Sequence, residues 1–330
     1  MKKILFLSLT ILLTTSCEEN NPSASIDNSN ITINNYGAGT VCGGSILSLN
    51  DKVYRSFEGG VASLDENLNI NSSDKIGNFD HSQVYHVEVI DGNVWFSLTN
   101  YSDFNEIRVL DNMGSEIASY TDIGIAPGDF SNWTSGDNSW VFVANEGNYG
   151  STNGSITMIN QDGETSQLAA VGDVVQSLEV YEDKLIVLVN NSHMIKIYNI
   201  TEDGLSLPGI EISTDNSSPR EMVIVEDKVY FTNWNTQDVK VFNLFNYAIE
   251  ESIPVGTLPE GITSDGFSLW IANSGENTVS EISLSSLSET KHEVGTGPQN
   301  TAIHDGDIYI SRTFYDESWN AFHGSSKIDF

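Results

Sequence analysis

Cysteine, proline and basic side chains are all scarce in this chain. Two cysteines, Cys17 and Cys42, allow one disulfide at most, which excludes a disulfide-held scaffold. Seven prolines and 27 glycines in 330 residues exclude collagen-like and Pro-rich architectures. Only 14 Lys and Arg stand against 46 Asp and Glu, a formal charge of −32. A nucleic-acid backbone would be repelled by such a chain, so no nucleic-acid partner is expected. The apolar run Ile4 to Leu13 is too short to cross a bilayer as a helix. What is present is a composition that can build a core: 39% hydrophobic and 10% aromatic residues, well outside the disordered range despite the charge.

The first residues carry a targeting pattern. Lys2 and Lys3 precede the apolar run, and the small residues Thr14, Thr15 and Ser16 lead into Cys17. This layout resembles a bacterial lipoprotein signal spanning 1–16, and the resemblance implies acylation of Cys17. An ordinary secretory signal with an incidental cysteine is the alternative. Glu18 and Glu19 resemble the acidic export signal that sends Bacteroidetes lipoproteins to the cell surface. The expected location is therefore the outer membrane, lipid-anchored, on the cell surface, with the membrane contacted only through the anchor. Residues 17–30 are polar and read as a flexible tether. With Cys17 acylated, Cys42 has no partner and is expected to act as a small buried hydrophobe.

From residue 45 onward one unit recurs. An Asp-containing turn leads into a short apolar strand, then an Asn-rich loop, then an alternating strand. The first apolar residue of the post-turn strand falls at Val53, Val94, Val141, Leu185, Val229, Leu269 and Ile308, a spacing of about 42 residues, which is that of a four-stranded propeller blade. Strands such as Val229–Thr232 and Leu269–Ala272 are β-branched or aromatic, while Asp91-Gly92, Asp265-Gly266 and Asp305-Gly306 supply hairpin turns. No long window carries a helical period. The expected fold is all-β, a seven-bladed propeller over 31–330. Its last repeat is one strand short, and Ile31-Thr32-Ile33 is the natural outer strand to close that blade.

Blade six reads Ile253-Pro254-Val255-Gly256-Thr257-Leu258-Pro259-Glu260-Gly261-Ile262 and continues with Leu269-Trp270-Ile271-Ala272-Asn273-Ser274 and Asn277-Thr278-Val279-Ser280. It resembles the surface-layer YVTN propeller repeat. Val143-Ala144-Asn145-Glu146-Gly147-Asn148-Tyr149-Gly150-Ser151 resembles the Asn-Glu-Gly-Asn-aromatic-Gly signature of a Bacteroidetes surface lipoprotein propeller family. That family includes a protein that captures cobalamin and passes it to a TonB-dependent transporter. The resemblance implies a ligand-capturing propeller, with a corrinoid as the small-molecule ligand and such a transporter as partner. The plainer role of the same motif is loop geometry, with Gly147, Gly150 and Gly154 permitting positive φ.

Catalytic chemistry has little support in the sequence, and no enzyme activity is expected. His81 and His86 sit five apart, on opposite faces of an alternating strand, and no Cys or carboxylate beside them completes a familiar metal pattern. Asp137, Asp183 and Asp227 recur at one turn position, as a structural residue would. No EF-hand loop and no Gly-x-Ser-x-Gly elbow occurs. No cofactor or resident metal is expected, with calcium left open at the Asp/Asn-rich loops or the central channel. The candidate ligand-binding residues are loop aromatics with neighbouring amides and the scarce cations: Trp234 and Asn235; Phe314, Tyr315 and Trp319 in a long last loop, 313–324, with Arg312; Asn148 and Tyr149; Tyr101; and Arg220. Adhesion to a protein or glycan is the alternative function.

Overall fold

The computed structural model describes residues 26–27, 30–38 and 44–330. Cys17, Cys42 and the expected signal segment lie outside the described residues. Among those described there is no helix, and the strands form seven antiparallel four-stranded blades in a ring.

The blades begin at the inner strands Ile46–Leu49, Val84–Ile90, Pro127–Ser135, Val175–Tyr181, Pro219–Val225, Pro259–Ser264 and Pro298–His304, one per blade in chain order. Every residue of the sequence repeat lies in a second strand, from Val53 in Lys52–Phe57 to Ile308 in Asp307–Tyr315. The wide interval between Val94 and Val141 reflects blade three, whose inner strand runs nine residues. Blade seven closes as its missing strand requires. Ile31–Ala38 pairs antiparallel to Ala321–Ile328, with Ile31 opposite Ile328 and Tyr36 opposite His323. Ile26–Asp27, within the span expected as tether, adds a short parallel pairing to the outer strand of blade six.

Packing follows the blade interfaces. The alternation of each strand sends one set of side chains against the preceding blade and the other against the next. A hydrophobic cluster fills each of the seven interfaces, the largest between blades three and four around Phe142, Ile156, Val175 and Leu178. Leu185, Val187 and Val189 form the second-strand face of that cluster, and all three are fully buried. Two of the three recurrent turn aspartates serve these interfaces: Asp183 accepts from Trp133 Nε1 at 2.9 Å across blades three and four, and Asp227 accepts from the Tyr181 hydroxyl across blades four and five.

The seam between blades seven and one is built differently. Among the described residues, its cluster has only Ile46, Val53 and Ala302 as buried members. Two of the scarce arginines reinforce it. Arg55, 0% exposed, donates from Nη2 to the Arg312 carbonyl at 2.8 Å. Arg312, 1% exposed, donates to the carbonyl of Asn34 at 3.0 Å and to Asn35 Oδ1 at 2.5 Å, tying the closing strand to blade seven. The long last loop expected over 313–324 is shorter in the structure. The strands extend to Tyr315 and resume at Ala321, because Phe314 and Phe322 pair across the hairpin and stack at 5.7 Å.

Candidate functional site

The inner strands run from one face of the ring to the other, and one recurrent irregularity shapes the channel they line. In blades two to seven the pairing with the second strand slips just after the first residue: between Val84 and His86, Pro127 and Phe130, Val175 and Ser177, Pro219 and Met222, Pro259 and Ile262, and Pro298 and Asn300. A bulge of this kind re-aims the unpaired side chain. In blades three to seven the residue before the strand is left-handed, with φ of 54° at Ala126, 59° at Val174, 55° at Ser218, 50° at Leu258 and 69° at Gly297. The outcome is a ring at the channel mouth with one residue from each of blades two to seven: Tyr85, Gly128, Gln176, Arg220, Glu260 and Gln299.

Together with Tyr101, His86, Asp129, Glu221 and Asn300 these residues line a cavity of about 360 Å³. It opens on the face that carries the loops between second and third strands. A second chamber of about 230 Å³ lies below it, sharing Ser45, His86, Asp129, Glu221 and Asn300 and adding Glu88 and Glu179.

Two hydrogen-bonded units fix the mouth. In one, Arg220 holds Glu260 through Nη2 at 2.6 Å and Nε at 3.1 Å, and reaches Gln176 Oε1 through Nη1 at 2.5 Å. Its guanidinium lies 4.1 Å over the Trp234 ring, and Trp234 Nε1 donates to Glu260 Oε2 at 2.7 Å. Burial works against the charge on Arg220, but the Glu260 carboxylate outweighs it and holds the guanidinium protonated. In the other unit the Tyr85 hydroxyl donates to Glu146, and its ring meets Tyr101 edge-on at 5.4 Å. Burial raises both the Tyr85 phenol and the Glu146 carboxyl above their ordinary ranges.

The lower chamber is acidic. Burial pushes Glu88 up to about 8 and Glu179 up to about 7, the latter helped by the charge of Glu88. Asp129 and Glu221 are also raised, by burial first, then by Glu88 in the one case and by Asp129 in the other. Burial lowers His86. Glu88 keeps 37% of its side-chain surface open and lines this chamber.

The sequence candidates fall in several places. Tyr101 and Arg220 line the mouth. Trp234 is half-buried behind it, positioning Arg220 and Glu260, and Asn235 ties its turn to the loop before the inner strand by donating to the Asn216 carbonyl at 2.9 Å. Tyr149, Tyr315 and Trp319 stand on the loops of the same face, outside the cavity lining, 82%, 58% and 80% exposed, with the last two in contact at 6.2 Å. Asn148 is braced by Asn153 within its loop at 3.0 Å. Phe314 is stacked on Phe322, and Arg312 is fully buried in the seam, with no surface left for a ligand. The Asn-Glu-Gly-Asn segment reaches the mouth through Glu146, while Gly147, at φ 77°, would place a Cβ 2.6 Å from the Gly154 nitrogen and so must be glycine.

Sequence reasoning misses Tyr85, Gln176, Glu260 and the acids below them. His86, set aside with His81, lies 3.7 Å from Glu88 and 3.8 Å from Asp129. Asp129 belongs to the next blade, so no spacing within one strand reveals the group. The signal available is the residue that follows each Val or Pro at the start of an inner strand.

No family model matches the chain, and no curated protein matches it. Solved structures do. A streptogramin B lyase superposes with a TM-score of 0.68 at 18% identity, covering 91% of this chain and 97% of the lyase. Virginiamycin B lyase from Staphylococcus aureus gives 0.65 at 16%, covering 89% and 98%. The Pan2 WD40 domain of Neurospora crassa gives 0.65 at 12%, covering 93% and 98%. At such identities the likeness is one of fold: this chain is a seven-bladed β-propeller.

Proposed function

We propose that the protein captures a small molecule non-covalently at the mouth of its channel, without catalysis, and hands it to a TonB-dependent transporter from a lipid anchor on the outer membrane. The observation that carries this is the ring of bulge residues around a 360 Å³ cavity lined by Tyr85 and Tyr101. A rigid concave site with few, fixed polar groups suits selective binding. A corrinoid is the ligand class that fits best. Its ring would rest on Tyr101 and the exposed loop aromatics of the same face, while its carboxamide arms reach down to Gln176, Gln299 and Asn300.

Calorimetric titration with cyanocobalamin and cobinamide tests this. Saturable one-to-one heat that weakens in Tyr101→Ala and Gln176→Ala supports capture. Absence of heat from protein shown folded by circular dichroism overturns the corrinoid assignment. Binding to a glycan array instead would favour adhesion.

A further inference from the structure

Below the mouth, three donor atoms from two blades converge. His86 Nε2 lies 3.7 Å from Glu88 Oε2 and 3.8 Å from Asp129 Oδ1, and one ligand atom from each residue fits within 4.8 Å of the other two. We infer that the lower chamber is a binding site for one divalent transition-metal cation of the Zn²⁺ type, held by His86, Glu88 and Asp129.

The separations suit the assignment. Tetrahedral ligands at about 2.05 Å from a metal stand about 3.3 Å apart, so small rotations of the two carboxylates toward the imidazole close the site. Hydrogen bonding has prepared the donors unequally. Asp129 spends Oδ2 on the Leu178 backbone N–H at 2.8 Å, which orients the carboxylate and leaves Oδ1 toward His86. Glu88 Oε2 is buried and, among the described residues, accepts no hydrogen bond, an orphan that a cation would satisfy.

Charge points the same way. The chamber is lined by Glu88, Asp129, Glu179 and Glu221, and among the described residues no Lys or Arg lines it. Arg220 stands above and is engaged by Glu260 and Gln176. Four acids around one imidazole, without a resident cationic side chain, make a place where a metal is better solvated than in an apolar wall. The imidazole decides the class of ion. Calcium and magnesium prefer all-oxygen sets, whereas nitrogen with carboxylate oxygen suits Zn²⁺ and its neighbours. The upper cavity, which shares His86 and Asp129 with the chamber, provides the path in.

The test is calorimetric titration of EDTA-treated protein with ZnCl₂ at pH 7, after dialysis into a non-coordinating buffer. One tight site is expected, weakened at least 100-fold in Glu88→Gln and in Asp129→Asn, and unchanged in His81→Asn, whose imidazole is exposed beside Asp80. Cobalt(II) gives a second readout that needs no variant: a visible ligand-field band in the wild-type protein, displaced by Zn²⁺. The inference is overturned by no stoichiometric Zn²⁺ uptake, by uptake that survives the double variant Glu88→Gln/Asp129→Asn, or by a site that takes Ca²⁺ in preference. Either result leaves capture at the mouth to be judged by the corrinoid titration.

Discussion

Replacing Arg220 by Met should destabilise the fold more than any other single change at the mouth. Its side chain is 16% exposed and that of Glu260 is 12%, so the pair is shielded from solvent screening. The substitution strands the Glu260 carboxylate, removes the donor to Gln176 Oε1, and takes away the cation over Trp234. Breaking one side of a buried pair typically costs about 3–5 kcal/mol. For a domain of about 300 residues the unfolding entropy is about 0.6 kcal/mol/K, so Tm should drop by about 5–8 °C. Glu260→Gln should cost less, because the amide oxygen still accepts from Trp234. The double variant Arg220→Met/Glu260→Gln should recover a large part of the loss, since neither charge is then left alone. Differential scanning calorimetry of the four proteins reads the cycle. Additivity of the two changes within about 0.5 kcal/mol would refute the coupling and the claim that this unit is preorganised.

Three further outcomes are expected. Glu88, Asp129, Glu179 and Glu221 keep their protons to higher pH when folded than when unfolded. Unfolding therefore releases protons between the ordinary Glu value of 4.5 and the folded values of about 8 and about 7. His86, lowered by burial, opposes this only around and below its ordinary 6.5. Metal-free protein should lose Tm as pH rises from about 5 to about 8, and Glu88→Gln/Asp129→Asn should flatten that slope; a Tm that rises over this range contradicts the burial of these carboxyls. Trp234→Phe should weaken corrinoid binding about tenfold in calorimetry by freeing Glu260 from its indole donor, whereas an unchanged affinity would deny Trp234 its positioning role. Gly297→Ala should lower Tm sharply, because the residue has φ 69° and a Cβ there would collide with the Thr313 carbonyl oxygen; a melting curve like that of the wild type would contradict this.

The ring is legible in the sequence because its physics repeats. An apolar strand after an Asp turn recurs once per blade, so the period, the blade count and the need for Ile31–Ile33 as closing strand all follow from the pattern. The mouth is not legible, for the opposite reason. Each of six blades contributes one residue there, and Tyr85, Gly128, Gln176, Arg220, Glu260 and Gln299 share a backbone position but, the two glutamines apart, no common chemistry. Arg312 misleads because its aromatic neighbours resemble a ligand loop, while the strands continue past it and Phe314 pairs with Phe322. Trp234 stands out in the sequence through its Asn-flanked turn, and the structure gives it a supporting place behind Arg220.

Capture at the mouth is tested most simply by amide hydrogen exchange with and without cyanocobalamin. Protection is expected only in the loops around Tyr85, Tyr101, Glu146, Trp234 and Trp319 and at the starts of the inner strands. Protection on the opposite face or the outer blade edges, or no protection at saturating ligand, would contradict it.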